Sequence, residues 1–470
     1  MPEIFSRRAL GGTHPDPRGG SRRSTVLTGG TGLACLATVA VILVAAPGAA
    51  VAGTLLLVAA MTLLLPTLVG AAVAALGWLG QWVRSAVPAI ALMELRARAS
   101  RTRTLALAAT AAVAVFGIVA VGGAHRDLER GLNSSADEID ANADLWVSFR
   151  SSQNAFATAP ISLDGRDLDR VRALPGVATA ERYRGAFLDI GDRRLWVLAP
   201  PRSADAPVPP RQILTAADDL TRRVRAAGWV TLSEALAQTL DAGVGDAVRI
   251  PAPEPITLRV AAITTNLGWP SGALILSADD FAKAWGSTAP TALHIELDGV
   301  RATPTVRAEL AGALAPRDEL QIETAIQRQR RHHAMSDDAL SRLTQISMLV
   351  IGAAVLAMVT AMVGALWQRR STFAGLKADG FTEWELWRAV LLDSAVLLST
   401  ACGIGAAFGL AGQALMSRAL AEVTGFPVFY SPGIGLAFAV LGGVTLLTLA
   451  CHAVPGYIAV RIRPAPGIGT

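Results

Sequence analysis

The sequence predicts an α-helical integral membrane protein with about six transmembrane helices and an α+β domain outside the membrane, inserted between spans three and four. The 470-residue chain is 52% apolar and only 17% charged, which departs from the usual composition of soluble domains. Residues 24–83 contain no Asp, Glu, Lys or Arg, and an uncharged run of that length suits a bilayer rather than a soluble core. Charged residues return within residues 125–342, together with the short patterns of strands and helices.

The apolar runs give the positions of the spans. A helix needs roughly 20 apolar residues to cross the hydrocarbon core. The run at residues 24–83 is long enough to cross twice, and Pro47-Gly48 supplies the break between the two crossings. We expect the other spans at about residues 104–124, 343–368, 391–416 and 433–457.

The basic residues indicate which side of the membrane each connection faces. Arginines are concentrated in residues 1–24 and 84–103, whereas the turn at 47–53 carries no charge. Because basic connections mark the cytoplasmic side, the sequence predicts a multi-pass plasma-membrane protein with both termini in the cytoplasm. The net charge of +5 is explained by this asymmetry and by contact with the lipid bilayer, so we expect no nucleic-acid partner.

These assignments divide the chain into consecutive parts. They are a cytoplasmic N-terminal arm at 1–24, two transmembrane helices at 25–83, a basic cytoplasmic segment at 84–103, a transmembrane helix at 104–124, an extracytoplasmic α+β domain with stalk helices at 125–342, a three-helix transmembrane module at 343–460 and a cytoplasmic tail at 461–470.

Within residues 125–342, residue patterns predict individual elements. We expect strands at 144–149, 186–190, 194–198, 229–232, 247–250 and 256–263, and helices at about 168–174, 278–285 and 303–315. The polar, helical pattern from Glu323 to the fourth span predicts a stalk helix, with residues 126–143 as its partner. The three cysteines, Cys35, Cys402 and Cys451, all lie in the apolar spans, so no disulfide framework is expected in the outer domain.

No catalytic constellation is present in the sequence. The chain has no G-x-x-x-x-G-K-[ST] motif, and its histidines do not form a metal-ligand spacing with Cys or a carboxylate pair. His332 and His333 are adjacent, and we interpret them as solvated stalk residues rather than ligands. Ionisable residues within the spans are few, which disfavours an ion-coupled carrier. We therefore expect no enzyme activity, no bound cofactor and no metal.

Glycines recur in the fifth predicted span. Gly405-x-x-x-Gly409, with Gly403 nearby, is a spacing that suits close helix–helix packing. The alternative is that these glycines are merely tolerated in a membrane helix, and the sequence leaves both interpretations open.

The cytoplasmic connection before the fifth span predicts a short amphipathic helix at residues 369–380. Phe373 and Leu376 are three positions apart and share one side of this helix, and Gly380 suits its C-terminal cap. Thr382 and Glu385 form a capping-box pattern that begins the next helix. Such a helix could dock a partner protein or anchor against lipid, and the pattern does not decide between them.

These residues resemble a known family. Arg369-Arg370, followed by Leu376-Lys377-Ala378 and Gly380, resembles the coupling segment of the FtsX/MacB-like permeases of ABC transporters. The order of one span, a large outer domain and three spans is also similar over residues 90–465, with Ser371 and Thr372 where the family commonly has Glu. The two leading spans resemble the middle of long two-module permeases, so the chain is similar to the second half of such a permease.

The resemblance implies a permease subunit whose outer domain is of the MacB-like periplasmic core type. It implies a separate cytoplasmic ABC ATPase dimer that binds ATP and Mg, and a second permease chain or a second copy of this one. The transport would be export or extraction of a lipid, lipoprotein or peptide. The alternative is an ATP-independent membrane-anchored regulator or scaffold whose outer domain binds a cell-envelope partner. The implied ATPase-coupling residues are Arg369, Arg370, Phe373, Leu376, Lys377 and Gly380.

Overall fold

The computed structural model of the protein describes residues 18–45, 49–80, 98–151, 156–368 and 382–461. The chain falls into two compact units. Of the described residues, those within 18–123, 347–416 and 432–461 form the helical unit, and those within 124–346 and 417–431 form the sheet unit.

The described elements are named here in chain order. The helices are α1 (Arg18–Ala45), α2 (Ala50–Gly80), α3 (Arg98–Asp140), α4 (Gly165–Arg172), α5 (Leu220–Arg225), α6 (Glu234–Thr239), α7 (Ala278–Trp285), α8 (Thr303–Ala313), α9 (Ala325–Gln368), α10 (Glu383–Thr424) and α11 (Ile434–Arg461). The strands are β1 (Leu145–Phe149), β2 (Val177–Ile190), β3 (Arg193–Ala199), β4 (Ile213–Ala216), β5 (Trp229–Ser233), β6 (Ala247–Ile250), β7 (Ile256–Thr264), β8 (Ala273–Leu276), β9 (Ala292–Leu297) and β10 (Leu320–Thr324).

Several helices are suited to a membrane. Among the described residues, 4 helical stretches are long and apolar enough to cross one: Leu27–Val44, Ala50–Ala72, Ala108–Asp140 and Ser394–Thr424. A shorter apolar stretch, Ile434–Ala450, lies in α11. The multi-pass character expected from composition is therefore confirmed. The full set of six spans stays a prediction, and the expected break at Pro47-Gly48 lies outside the described residues.

The sheet unit is built on one 10-stranded sheet with the order β10-β1-β9-β2-β3-β8-β5-β7-β4, and β6 pairs with β7. The long strand β2 joins its two halves, because its first part pairs with β9 and its second part with β3. The strands predicted at 186–190 and 194–198 are confirmed as parts of β2 and β3, which form a hairpin with Ile190 opposite Arg193. Gly191 makes this tight turn at φ 63, a left-handed conformation that suits glycine.

Short helices pack on the sheet, and their apolar side chains form a hydrophobic core with those of the strands. Leu168 and Val171 of α4 and Val306 and Leu310 of α8 are buried with Ile295 of β9. Each such side chain contributes roughly 1.5–3 kcal/mol when it leaves water. The helices predicted at 278–285 and 303–315 correspond to α7 and α8, so these two predictions are confirmed.

The start of the stalk helix differs from the prediction. Residues 323 and 324 belong to β10, where Thr324 pairs with Leu145 of β1, and α9 begins at Ala325. Thr324 caps the helix, because its Oγ1 accepts from the Gln327 N–H at 3.2 Å while its own N–H donates to Gln327 Oε1 at 3.1 Å. This reciprocal pair is a capping box that changes the chain from strand to helix within one residue.

Candidate functional site

In the sheet unit, α3 and α9 are joined by a buried ion pair and by two contacts that involve histidines. The Asp140 carboxylate accepts from Arg328 Nε at 2.7 Å and lies 2.7 Å from His332 Nδ1. A second pair joins His333 Nε2 and Asp137 Oδ1 at 2.8 Å. The His332 side chain is only 16% exposed, so the expectation that it is a solvated stalk residue is wrong. We call Asp140, Arg328 and His332 the stalk cluster.

Aromatic side chains connect the stalk cluster to the sheet. The Arg328 guanidinium lies 4.2 Å from the centre of the Trp146 ring, and Trp146 Nε1 donates to the Asp140 carbonyl at 2.9 Å. His294 lies against Trp146, with 3.9 Å between ring centres, and stacks on Tyr183 at 5.2 Å. The C-terminal end of α3 and the N-terminal end of α9 are thereby held against β1, β2 and β9.

Burial determines the protonation states of His294 and Tyr183. It lowers the pKa of His294 to about 3, with the nearby Arg328 charge acting in the same direction. Burial also raises the pKa of Tyr183 above its ordinary value. Both rings are therefore neutral at physiological pH and serve as packing groups. In the described part of the chain, no three His, Cys, Asp or Glu side chains come together as metal ligands.

The last residues of α10 and the connection that follows them belong to the sheet unit. We call residues 417–431 the docked segment. Asp127 of α3 is fully buried, and its Oδ2 accepts from Ser417 Oγ at 2.6 Å while its Oδ1 accepts from the Ser431 N–H at 3.2 Å. The Asp127 carbonyl accepts from the Phe429 N–H at 3.1 Å. One acidic residue thus holds three separate positions of the docked segment.

A residue of the turn after β7 holds the same segment at the end of α10. The side-chain Nδ2 of Asn266 donates to the Thr424 carbonyl at 3.1 Å, and its backbone N–H donates to the Gly425 carbonyl at 3.0 Å. Gly425 has φ 65, and its N–H donates to the Ala421 carbonyl at 2.8 Å. This is the left-handed glycine cap common at helix C-termini.

Neither Asp127 nor Asn266 stands out in the sequence as a site residue. Asp127 follows the third predicted span and looks like an ordinary charged residue at a membrane boundary. Asn266 lies in a turn-forming sequence, where Asn is common for local reasons. Only Gly425, shortly after an apolar helical run, could have indicated where α10 ends.

In the helical unit, the predicted packing glycines lie at different distances from neighbouring helices. A Cβ added to Gly405 would lie 2.3 Å from the Ala112 carbonyl oxygen, and one added to Gly409 would lie 2.7 Å from Val119 Cβ. These two glycines therefore lie where α10 approaches α3 closely. A Cβ at Gly403 would meet only Leu441 Cδ1, at an ordinary 3.9 Å.

A buried amide also lies in the helical unit. Gln413 of α10 is fully buried, and its Oε1 accepts from the Gly433 N–H at 3.1 Å, just before α11 begins. It thereby supplies an acceptor for a backbone N–H next to the start of α11. The apolar run around Gln413 gave no indication of this role.

The predicted coupling residues Arg369, Arg370, Phe373, Leu376, Lys377 and Gly380 lie outside the described residues. The capping box that follows them is described and is confirmed. The Thr382 N–H donates to Glu385 Oε2 at 3.0 Å, and the Glu385 N–H donates to Thr382 Oγ1 at 3.3 Å. It fixes the start of α10 immediately after the predicted coupling helix.

Apolar helices and a sheet-rich domain in the middle of the chain define a multi-pass membrane protein. Within it, residues 345–464 match the family described as FtsX-like permease C-terminal. This range contains the end of α9, all of α10 and all of α11. The chain therefore carries an FtsX-like permease domain, and the resemblance drawn from residues 369–380 is confirmed.

Two solved structures are similar to part of the chain. The extracellular domain of the noncanonic ABC-type transporter YknZ from Gram-positive bacteria covers 38% of this chain and 99% of its own, with 11% identity and a TM-score of 0.28. The periplasmic region of MacB from Actinobacillus actinomycetemcomitans covers 40% and 94%, with 9% identity and a TM-score of 0.29. TM-scores this low carry no argument about function. A search of curated proteins found no match.

Proposed function

We propose that this chain is the transmembrane permease subunit of an ABC transporter, in which a separate cytoplasmic ATPase dimer drives movement of the sheet unit. One observation carries the proposal. The FtsX-like domain at 345–464 shares the unbroken helix α9, Ala325–Gln368, with the sheet unit. A continuous helix is a stiff connection, so displacement at one end is passed to the other.

The stalk cluster supports this mechanical role. α3 and α9 both enter the sheet unit, where Asp140 accepts from Arg328 and contacts His332. Because these groups are buried, sliding one helix past the other would leave charges unpaired at a cost of about 3–5 kcal/mol. The two helices are thus suited to transmit movement together rather than to slip.

The remaining parts of the proposal extend the sequence analysis. The chain crosses the membrane six times with both termini in the cytoplasm, and it pairs with a second permease chain or a second copy. Phe373 and Leu376 contact the ATPase, which binds ATP and Mg, while Arg369, Arg370 and Lys377 surround that contact. The cargo is a lipid, lipoprotein or peptide that is exported or extracted.

Co-purification with the ATPase tests the proposal. Phe373→Ala removes an anchor of the coupling helix, and loss of such an anchor typically costs over about 2 kcal/mol of binding. We expect it to abolish most recovery of the ATPase at matched membrane expression. The control is Phe438→Ala in α11, because Phe438 is highly exposed within the helical unit and lies outside the coupling helix.

Two results would contradict the proposal. Recovery of the ATPase by Phe373→Ala at the wild-type level would favour the lipid-anchor interpretation of residues 369–380. If no ATPase co-purifies with the wild-type chain, the alternative hypothesis of an ATP-independent regulator or scaffold is favoured.

A further inference from the structure

We propose that Asn266 and Asp127 fasten the docked segment to the sheet unit, so that movement of this unit acts directly on the adjoining ends of α10 and α11. They would be positioning residues on a second coupling route, separate from the continuous helix α9. The inference rests on the proposed function, because it names residues through which that coupling would pass.

The end of α10 depends on Asn266 for its hydrogen bonds. The last carbonyls of a helix have no partners within the helix. Gly425 satisfies one of them, and Asn266, which is 2% exposed, donates to the Thr424 and Gly425 carbonyls. Its Oδ1 accepts from the Gly268 N–H at 3.2 Å, so both ends of the amide are used. Separating α10 from this turn would leave buried carbonyls unpaired, which is costly.

Asn266 is itself fixed to the sheet. It lies two residues after β7, and the preceding residue, Thr265, donates its N–H to the Gln212 carbonyl at 2.9 Å and its hydroxyl to Gln212 Oε1 at 2.7 Å. Gln212 is fully buried. A displacement of the sheet therefore carries Asn266 with it, and with Asn266 the end of α10.

The second fastening point belongs to α3 rather than to the sheet. Asp127 accepts from Ser417 and Ser431 through different carboxylate oxygens, and alanine at this position would remove both acceptors. Close by, a Cβ on Gly131 would lie 1.9 Å from the Pro427 carbonyl oxygen. Only glycine allows the backbones to approach this closely.

This arrangement differs from that of a simple connecting loop. A chain reversal between two helices needs only a few residues, and such loops usually lie exposed on the surface. Here buried side chains from two separate elements, α3 and the turn after β7, form hydrogen bonds with the docked segment. A shift of the sheet relative to α3 cannot satisfy both sets of hydrogen bonds, so the docked segment must follow one of them.

Amide hydrogen exchange on the full chain with its co-purified ATPase, in lipid nanodiscs, tests the inference. Asn266→Ala should raise exchange in residues 424–431 by about tenfold. The reason is that it removes the side-chain hydrogen bonds to the Thr424 carbonyl and the Gly268 N–H. It should also remove the change that a non-hydrolysable ATP analogue produces in residues 417–431 of the wild type. Asp127→Ala, which removes the acceptors for Ser417 and Ser431, should act similarly.

The matched control is Asn142→Ala. The Asn142 side chain also makes paired hydrogen bonds, with the N–H and carbonyl of Ala206 at 3.2 and 3.1 Å, but Ala206 lies outside the docked segment. This variant should keep the nucleotide response of residues 417–431. Unchanged exchange of β1 and β9 shows that each variant is folded.

The outcomes separate the two proposals. If the ATPase still co-purifies and the nucleotide response persists in both Asn266→Ala and Asp127→Ala, the second coupling route is wrong and the permease assignment stands. If the ATPase fails to co-purify with the wild type, the permease assignment fails, and the second coupling route fails with it.

Discussion

Acidification should weaken the packing between the stalk and the sheet through His294. This residue is 3% exposed, lies between Trp146 and Tyr183, and has its pKa lowered from 6.5 to about 3 by burial and by Arg328. As the pH falls below the unfolded value, the unfolded chain binds a proton at this position and the folded protein does not. The stability that comes from burying neutral His294 is therefore fully present above about pH 6.5 and is lost as the pH falls towards the pKa of His294 in the folded protein.

The size of the effect follows from the same two pKa values. Each pH unit below the unfolded pKa of 6.5 costs about 1.4 kcal/mol, so a fall to pH 5 removes about 2 kcal/mol. The folded pKa lies well below pH 5 and does not alter this figure. A loss of that size is a large part of the ordinary stability of a domain, and it would fall on the part of the sheet formed by β1, β2 and β9.

The assay is hydrogen exchange of the slowest amides in β1 and β9 of the full chain at about pH 8 and pH 5, corrected for intrinsic exchange. His294→Leu cannot be protonated, so its loss between the two pH values should be smaller than that of the wild type by about 2 kcal/mol. Tyr183→Phe keeps the stacked ring and should retain the wild-type dependence. An identical pH dependence in wild type and His294→Leu would refute the reasoning.

Other predictions test the helices and the topology. Gly405→Leu should destabilise the helical unit by about 1–3 kcal/mol in a denaturant titration, because its Cβ would meet the Ala112 carbonyl. Gly442→Leu, at a position with open space, should be nearly neutral. Arg328→Met should cost about 3–5 kcal/mol by leaving Asp140 buried without its cation, measured in the same titration. In a cysteine-free chain, an impermeant thiol reagent on intact cells should label Asp205→Cys and spare Lys377→Cys; the reverse would overturn the orientation.

Local patterns predicted those elements whose boundaries are set by nearby residues. α7 is an example, because Ser277 accepts from the Asp280 N–H at 3.0 Å and Gly286 follows at φ 60. Both boundaries can be read from the sequence alone. The hairpin at Gly191 is predictable for the same reason.

Elements fixed by distant partners could not be predicted in this way. β10 has a helical pattern at its end, yet residues 323 and 324 become a strand because β1 is available to pair with them. In the stalk cluster, Asp140 and Arg328 are 188 positions apart, and no local pattern joins them. The docked segment is similar, since Asn266 and Thr424 are 158 positions apart.

The charges of the stalk cluster make physical sense if the two helices must keep one register. A buried ion pair adds little stability compared with apolar packing, so stability alone does not favour it. Apolar surfaces of helices, however, allow several alignments of similar energy, whereas one buried carboxylate between Arg328 and His332 is satisfied in only one. A pair of helices that transmits displacement loses its effect if one slides past the other. In the permease proposed here, the stalk cluster would prevent sliding and the docked segment would keep the end of α10 moving with the sheet, so the two features would meet complementary requirements of one mechanical pathway.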